Sequence, residues 1–418
     1  MKKIFLITKL KTTNIGNEAL SHEIIKMFKE LVPGAVININ GRPAGLDGYL
    51  PSKLYQAKDP IQAFETWTDH IVRKIKQEPD VQFKANQPKV VLYFEQKFFK
   101  RDKWKSKLKP LKRLYYSLLT YSNQYKERAR QLKQADWLVY SGAGEVNDQH
   151  GNIGNSHVLL RQLIELRVAQ KLGVKTAAIN QSIFILTPFF QKLAAHVYSK
   201  MEKIVVRGNA SKNKLIEFGV PANLISTAPD SAVNTIIPVK SGNARSSNRV
   251  GVNFPSLSKI SLEDIRKIVS HLRAAGKEPV FCTNEPLGDI PMINLLKEEL
   301  GVEALSPSAT YTDYAKKLSE MDFVISARVH TNMLSMVSHT TIIPIEASDF
   351  RLAELLEGFE YPLPIIKAHQ PGWVEEVIAM VDQIMQDNSV VDNYYNNRFQ
   401  ETRKKTLDNA IWINQYIS

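Results

Sequence analysis

The chain repeats one pattern, in which a short apolar strand is followed by a polar loop and an amphipathic helix. The first unit joins the strand KIFLIT to a helix whose Leu20, Ile24 and Met27 fall on one face. Later units begin with strands such as ADWLVYSG, VKTAAINQ and KIVVRG. Such alternation is typical of parallel sheets covered by helices. It predicts an α/β protein with doubly wound, Rossmann-like sheets.

The pattern occurs in two blocks, and 418 residues are too many for one ordinary core. Between the blocks, IPVKSGNARSSNR is rich in Ser, Gly and Asn, which indicates a linker. Two such domains facing across a cleft resemble the GT-B architecture, whose ligands bind beyond the carboxyl ends of the strands. We predict an N-terminal domain over 1–240 with an insertion at about 41–130, a C-terminal domain over 241–388, and a C-terminal helix over 389–418.

The number of cysteines and the lengths of the apolar segments indicate the cellular compartment. A single cysteine, Cys282, cannot form an intramolecular disulfide and offers no cluster for zinc or iron–sulfur ligation. Lys9 and Lys11 interrupt the apolar run near the N-terminus before a signal peptide can form. No stretch approaches the roughly 20 apolar residues that cross a bilayer. We expect a cytoplasmic protein whose membrane association, if it has one, is peripheral.

The positive charge is concentrated in one segment. The formal net charge is +13, and the segment Lys97–Arg113 contains nine Lys or Arg residues and one acid, Asp102. Phe98 and Trp104 lie among these cations. This mixture is compatible with contact with an anionic membrane surface, and contact with nucleic acid or a solvated helix face would explain the same composition equally well.

The strongest chemical signal is ISARVHTN, over 325–332, where a strand ends and a helix begins. Arg328 offers a planar fork for a carboxylate or phosphate, and His330 can move a proton near neutral pH. The start of a helix also favours anions through its free amides. The pattern predicts an anion site with a proton donor. A surface arginine beside a structural histidine would look the same, so the sequence leaves both interpretations open.

Polar residues follow other strands as well, and parallel strands bring their carboxyl ends to one edge. Each also has a plain structural explanation, as a salt-bridge partner, a flexible loop or a turn cap. No GxGxxG fingerprint follows the first strand, which weakens any dehydrogenase interpretation. The candidates from these strand ends are Arg207, Asn14, Gly16, Asn17, Glu145, Asn147 and Asp230.

Taken in order, NIGNEAL, SGAGEVND, AINQSI, VVRGNAS, TAPDSAV and ISARVHTNMLSM resemble successive blocks of the polysaccharide pyruvyl transferase family, over about residues 14–344. The resemblance implies a GT-B-like fold, phosphoenolpyruvate as co-substrate and a pyruvate ketal on a sugar as product, with no cofactor and no metal. It also implies that His330 is catalytic and that Arg207, Arg328 and His330 bind phosphoenolpyruvate. The remaining candidates are tentative contacts to the acceptor.

The chain departs from the family pattern in three blocks. Asn17 replaces the usual Asp of the first loop, SGAG replaces a run of three glycines, and Gly208 replaces the Asp of an Arg-Asp pair. These changes leave the implied donor residues in place. They put the acceptor contacts in doubt.

The resemblance further implies an acceptor sugar in a cell-surface polysaccharide or its lipid-linked precursor. The basic segment 97–113 would then hold the enzyme at the inner face of the membrane, and no nucleic-acid partner is expected. Two alternatives stay open. A GT-B glycosyltransferase would use the same arginines to neutralise the diphosphate of a nucleotide sugar. A nucleic-acid-binding protein would use the basic segment, with strongly salt-dependent affinity, and leave Arg328 and His330 without a role.

Overall fold

The computed structural model describes residues 2–8, 14–41, 57–77, 127–142, 146–148, 157–237, 247–255, 260–347 and 350–417. The basic segment 97–113, Glu145 and most of the predicted linker lie outside these ranges.

The first half is built on a parallel sheet. Its strands are β1 (Lys3–Thr8), β2 (Val36–Gly41), β3 (Trp137–Ser141), β4 (Val146–Asn147), β5 (Lys175–Gln181), β6 (Ile183–Phe184), β7 (Lys203–Val206) and β8 (Ile225–Thr227). Six of them form one sheet in the order β2-β1-β3-β5-β7-β8, and β4 pairs with β6. The helices are α1 (Ile15–Leu31), α2 (Pro60–Gln77), α3 (His157–Lys171), α4 (Pro188–Tyr198) and α5 (Asn209–Glu217), with a further helical stretch over 127–134. Short 3-10 helices cover Ala222–Leu224 and Ser231–Asn234.

The second half repeats the plan with a five-stranded parallel sheet in the order β10-β9-β11-β12-β13. Its strands are β9 (Arg249–Asn253), β10 (Glu278–Phe281), β11 (Phe323–Ser326), β12 (Thr341–Glu346) and β13 (Ile366–Lys367). Its helices are α6 (Leu262–Ala274), α7 (Pro286–Leu300), α8 (Tyr311–Leu318), α9 (Val329–Val337), α10 (Arg351–Phe359) and α11 (Trp373–Gln386).

Helices cover both faces of the first sheet, which explains why its inner strands, such as β1, β3 and β7, are apolar without alternation. On one face, Phe5 and Ile204 are buried under α2, α3 and α4. On the other, Val139 and Val205 are buried under α1 and the end of the chain, where Trp412 packs on Trp137 with ring centroids 5.3 Å apart. The C-terminal residues therefore return to the first sheet after the second sheet is complete.

The C-terminal segment changes direction several times. Residues predicted as one helix over 389–418 form α12 (Ser389–Asn397), α13 (Phe399–Lys404) and α14 (Asn414–Ile417), with 3-10 helices over Lys405–Asn409 and Ile411–Ile413. The prediction of a single helix was wrong. The reason is packing, since Phe399 belongs to the core of the second half and Trp412 to the first sheet, and the chain bends to reach both.

The strand orders fix where the site lies. In the first sheet β1 lies between β2 and β3, and in the second β9 lies between β10 and β11. The winding of the chain reverses at these points, and the reversal opens a crevice at the carboxyl edge of each sheet. The start of α1 lies beside the first crevice and the start of α9 beside the second.

Candidate active site

The two crevices meet where Gly16 lies against His330. Gly16 is in the first turn of α1, and a β-carbon placed on it would overlap the imidazole ring and the β-carbon of His330. His330 lies in the first turn of α9 and is only 8% exposed. A glycine is needed here because the backbone of α1 comes so close to the histidine. The structure thus brings together the tentative candidate Gly16 and the predicted catalytic residue His330.

Asn284 links the starts of the same two helices. The Asn14 side chain caps α1 by accepting the N–H of Gly16 at 3.0 Å, and it also accepts an N–H of the Asn284 amide at 2.8 Å. The N–H of Ile15 donates to the carbonyl of Asn284 at 2.9 Å. From the other side, the hydroxyl of Thr331 in α9 donates to Asn284 Oδ1 at 3.0 Å. One buried amide therefore fixes the α1 start against the α9 start.

Arg328 precedes α9 and pairs with two carboxylates. Its Nη1 lies 2.7 Å from Glu285 Oε2, and its Nη2 lies 2.5 Å from Asp289 Oδ1. Asp289 is fully buried and also accepts the hydroxyl hydrogen of Thr283 at 2.6 Å. The predicted anion-binding arginine is therefore already neutralised by acids of the chain itself.

Sequence reasoning missed Asn284, Glu285 and Asp289, although a usable signal was present. All three follow β10 in the segment TNEPLGD. The strand-end rule that selected Arg328 and His330 selects this loop equally well, because β10 lies in the same parallel sheet.

Arg207 forms a buried ion pair with Asp230. Arg207 is 3% exposed and Asp230 is fully buried. Asp230 also accepts the N–H of Ala232 at 2.9 Å, which begins a 3-10 helix. Burial lowers the pKa of Arg207 and raises the pKa of Asp230, while the attraction between the two charges opposes both shifts. Two residues that the sequence suggested separately are thus partners.

Glu354 from α10 is a second carboxylate whose charge acts on Arg207. Its carboxylate accepts the hydroxyl hydrogen of Ser182 at 2.8 Å and the backbone N–H of Ser211 at 2.8 Å, so it caps the start of α5 from the opposite half of the chain. Its Cγ occupies the space that a β-carbon on Gly208 would need. Its negative charge raises the pKa of Arg207 against the effect of burial. Glu354 therefore fills the space beside Gly208 that a side chain at position 208 would need.

The end of β5 is fixed by side chains. Asn180 has a left-handed backbone with φ of 56°, which Asn tolerates better than most residues. Its amide donates to the hydroxyl of Ser231 at 2.8 Å and accepts the N–H of Ser231 at 3.0 Å. Next to it, the carbonyl of Gln181 accepts the N–H of Arg207 at 2.9 Å. The AINQSI block therefore positions the strand end beside Arg207.

The other candidates have structural contacts of their own. Asn17 lies in the first turn of α1, where its N–H donates to the side chain of Asn14 at 3.3 Å. Asn147 belongs to β4 and pairs with Phe184 of β6. In the parts of the chain that the structure describes, no group of three or more His, Cys, Asp or Glu side chains could hold a metal ion. Within the same ranges, no helix combines the length and apolar character required to span a membrane.

Taken together, the contacts define two polar centres. The first contains Asn14, Gly16, Arg328 and His330, since Glu285 accepts hydrogen bonds from both Asn14, at 3.4 Å, and Arg328. The second contains Arg207 with its carboxylate partners. The first centre places a guanidinium, an imidazole and a helix start together, which is suited to binding an anion and moving a proton.

Comparisons with known proteins support both the family resemblance and the fold. A family model described as polysaccharide pyruvyl transferase matches residues 14–349. No curated protein matches the sequence at a significant level.

Solved structures that resemble the chain include an S. aureus MnaA–UDP complex, with 10% identity and a TM-score of 0.52 over 100% of this chain and 95% of that one. Anabaena Alr3699/HepE in complex with UDP has 13% identity and a TM-score of 0.52 over 100% and 98%. The UDP-GlcNAc 2-epimerase from Neisseria meningitidis bound to UDP-GlcNAc has 9% identity and a TM-score of 0.52 over 100% and 100%. These likenesses show a GT-B-like fold of two Rossmann-like domains, as the sequence predicted.

Proposed function

Because the chain belongs to the polysaccharide pyruvyl transferase family, we propose that it transfers a pyruvyl group from phosphoenolpyruvate to a sugar and forms a pyruvate ketal. The sugar would belong to a cell-surface polysaccharide or its lipid-linked precursor. The observation that carries the proposal is the contact of His330 with Gly16, beside Arg328, where the crevices of the two sheets meet. Ligands of α/β sheets bind at such crevices, so an imidazole and a guanidinium beside them support the proposal.

Binding is the first step of the proposed mechanism. Arg328, together with Arg207, would hold the phosphate and carboxylate of phosphoenolpyruvate, because a guanidinium can donate two parallel hydrogen bonds to either group. The amides at the start of α9 add partial positive charge on the same side. The starts of α1 and α9 would enclose the donor and hold two sugar hydroxyls near one carbon, which removes much of the entropic cost of the reaction.

Proton transfer follows. Protonated His330 gives its proton to the methylene carbon, and C2 becomes an electrophile. One sugar hydroxyl attacks C2, the bond from C2 to the phosphate oxygen breaks, and the second hydroxyl closes the ketal. Of the two hydroxyl protons, one restores His330 and the other leaves with phosphate, so atoms and charge balance.

The direct test is release of phosphate from phosphoenolpyruvate in the presence of a sugar acceptor. We expect His330→Ala to lose most turnover, because general acid catalysis typically contributes 10²–10⁴-fold. His369→Ala, which changes an exposed histidine of the same half, is the matched control and should retain activity. Full turnover by His330→Ala would remove the assigned role.

A nucleotide-sugar glycosyltransferase is the second candidate, because the similar solved structures include complexes with UDP and UDP-GlcNAc. Arg328 would then neutralise a diphosphate. The two candidates separate when the protein is given phosphoenolpyruvate or a sugar nucleotide with the same acceptor. Turnover of the sugar nucleotide alone would favour the glycosyltransferase.

We also propose that the enzyme works in the cytoplasm, at the inner face of the membrane, and that segment 97–113 binds anionic lipid headgroups through its Lys and Arg residues. Deleting this segment should weaken co-sedimentation with anionic vesicles and leave the weak binding to neutral vesicles unchanged. Equal sedimentation of both proteins with anionic vesicles would contradict the proposal.

A further inference from the structure

We propose that the two carboxylates on Arg328 have different functions: Asp289 orients the guanidinium permanently, and Glu285 occupies the position that an anionic group of the substrate takes on binding. The inference rests on the proposed function and deepens it, since it identifies the contact that the donor replaces.

Asp289 is built into the fold. It is fully buried in the first turn of α7, where a carboxylate is favoured by the helix dipole. One of its oxygens faces Arg328 and the other accepts the hydroxyl hydrogen of Thr283. Moving Asp289 away would leave a buried charge without compensation, which is strongly unfavourable. This partner therefore stays, and it fixes the plane of the guanidinium.

Glu285 is held much less firmly. Its side chain is 32% exposed, against none for Asp289. Apart from Arg328, it accepts a hydrogen bond from the Asn14 amide at 3.4 Å, close to the limit for such a bond. Glu285 precedes α7 and makes no side-chain cap for it. Rotation about its side-chain bonds can therefore carry the carboxylate into water. Losing the ion pair costs little, because an ion pair with an exposed partner contributes little free energy.

The charges favour such an exchange. Arg328 carries one positive charge and faces two carboxylates, so the unliganded group has a net negative charge. A phosphate or carboxylate of the donor would be repelled if both acids remained. When a ligand oxygen replaces Glu285, both Nη atoms of Arg328 keep a negatively charged partner. The repulsion between the donor anion and the carboxylates of the chain falls. The exchange also breaks the Glu285 contact to Asn14, and so couples binding to the start of α1.

The test compares Glu285→Gln with Asp289→Asn, two nearly isosteric changes that each remove one charge. Binding of phosphoenolpyruvate and of inorganic phosphate is measured by titration calorimetry at low ionic strength. We expect Glu285→Gln to bind both at least tenfold more tightly and to lower KM for phosphoenolpyruvate without raising kcat. We expect Asp289→Asn to show no such gain and to unfold at a lower temperature. Glu303→Gln removes the same charge at an exposed site and should change neither affinity.

Weaker or unchanged binding by Glu285→Gln, in an enzyme whose parent binds phosphoenolpyruvate, would overturn the inference. An equal gain in both variants would overturn it as well, because the two acids would then be equivalent. If none of the proteins binds phosphoenolpyruvate while Glu285→Gln still binds phosphate more tightly than its parent, the exchange stands and the proposed donor is wrong.

Discussion

Replacing Gly16 by Ala sets two known effects against each other. Alanine is favoured over glycine inside a helix by about 1 kcal/mol, so the change alone should stabilise α1. In this protein, however, the new β-carbon would overlap both the ring and the β-carbon of His330. Overpacking of a close-packed site typically costs about 1–3 kcal/mol. We expect the overlap to dominate, with a net loss of up to about 2 kcal/mol in the free energy of unfolding.

The partner substitution must be chosen from the geometry. His330→Ala removes the ring but leaves a β-carbon that still overlaps the one introduced by Gly16→Ala, so it relieves only part of the cost. His330→Gly removes both contacts. In the His330→Gly background, Gly16→Ala should therefore become neutral or stabilising, which gives a coupling energy of about 2 kcal/mol.

The assay is urea denaturation of the parent, the two single variants and the double variant, with free energies from linear extrapolation. Turnover is measured in parallel. Gly16→Ala should lower kcat markedly, because a displacement of about 1 Å at a reacting group can cost about 10²-fold in rate. Additive stabilities within about 0.5 kcal/mol would refute the contact between α1 and His330.

Three further predictions concern stability. Gly208→Ala should destabilise the protein in urea denaturation because its β-carbon meets Cγ of Glu354, and the same change should cost less when it is made in a Glu354→Ala background. Arg128→Met should cost about 3–5 kcal/mol, because it deprives the buried Glu165 of its facing cation, and the double variant with Glu165→Gln should lose less on thermal unfolding. Burial would raise the pKa of Glu65, but hydrogen bonds from three basic side chains lower it below its ordinary value. The stability that ionised Glu65 adds is therefore present above about pH 4 and is lost on further acidification. Glu65→Gln should make the free energy of unfolding less dependent on pH in the acidic range.

The local pattern was sufficient where a strand end alone decides the position of a side chain. Gly16 and His330 follow β1 and β11, the strands beside the two reversal points, so the strand-end rule alone selects both residues, while their mutual contact is seen only in the structure. Glu354 shows the limit of this reasoning. It lies inside α10, and its contact with Gly208 and Ser211 depends on how the two halves pack. The periodicity of the sequence therefore does not reveal this contact.

Local sequence also cannot distinguish Arg207 from Arg328, because both follow the end of a strand. The two arginines differ in the burial of their carboxylate partners. Both carboxylates that act on Arg207 are buried, with Asp230 fully covered and Glu354 2% exposed. Arg328 has one buried partner and one, Glu285, that reaches water. A substrate anion can replace an exposed carboxylate at small cost, but replacing a buried one leaves a charge stranded in the interior. Arg328 is therefore the arginine able to exchange a partner carboxylate for an anionic group of the donor, whereas Arg207 would act on the donor while keeping both of its buried carboxylate partners.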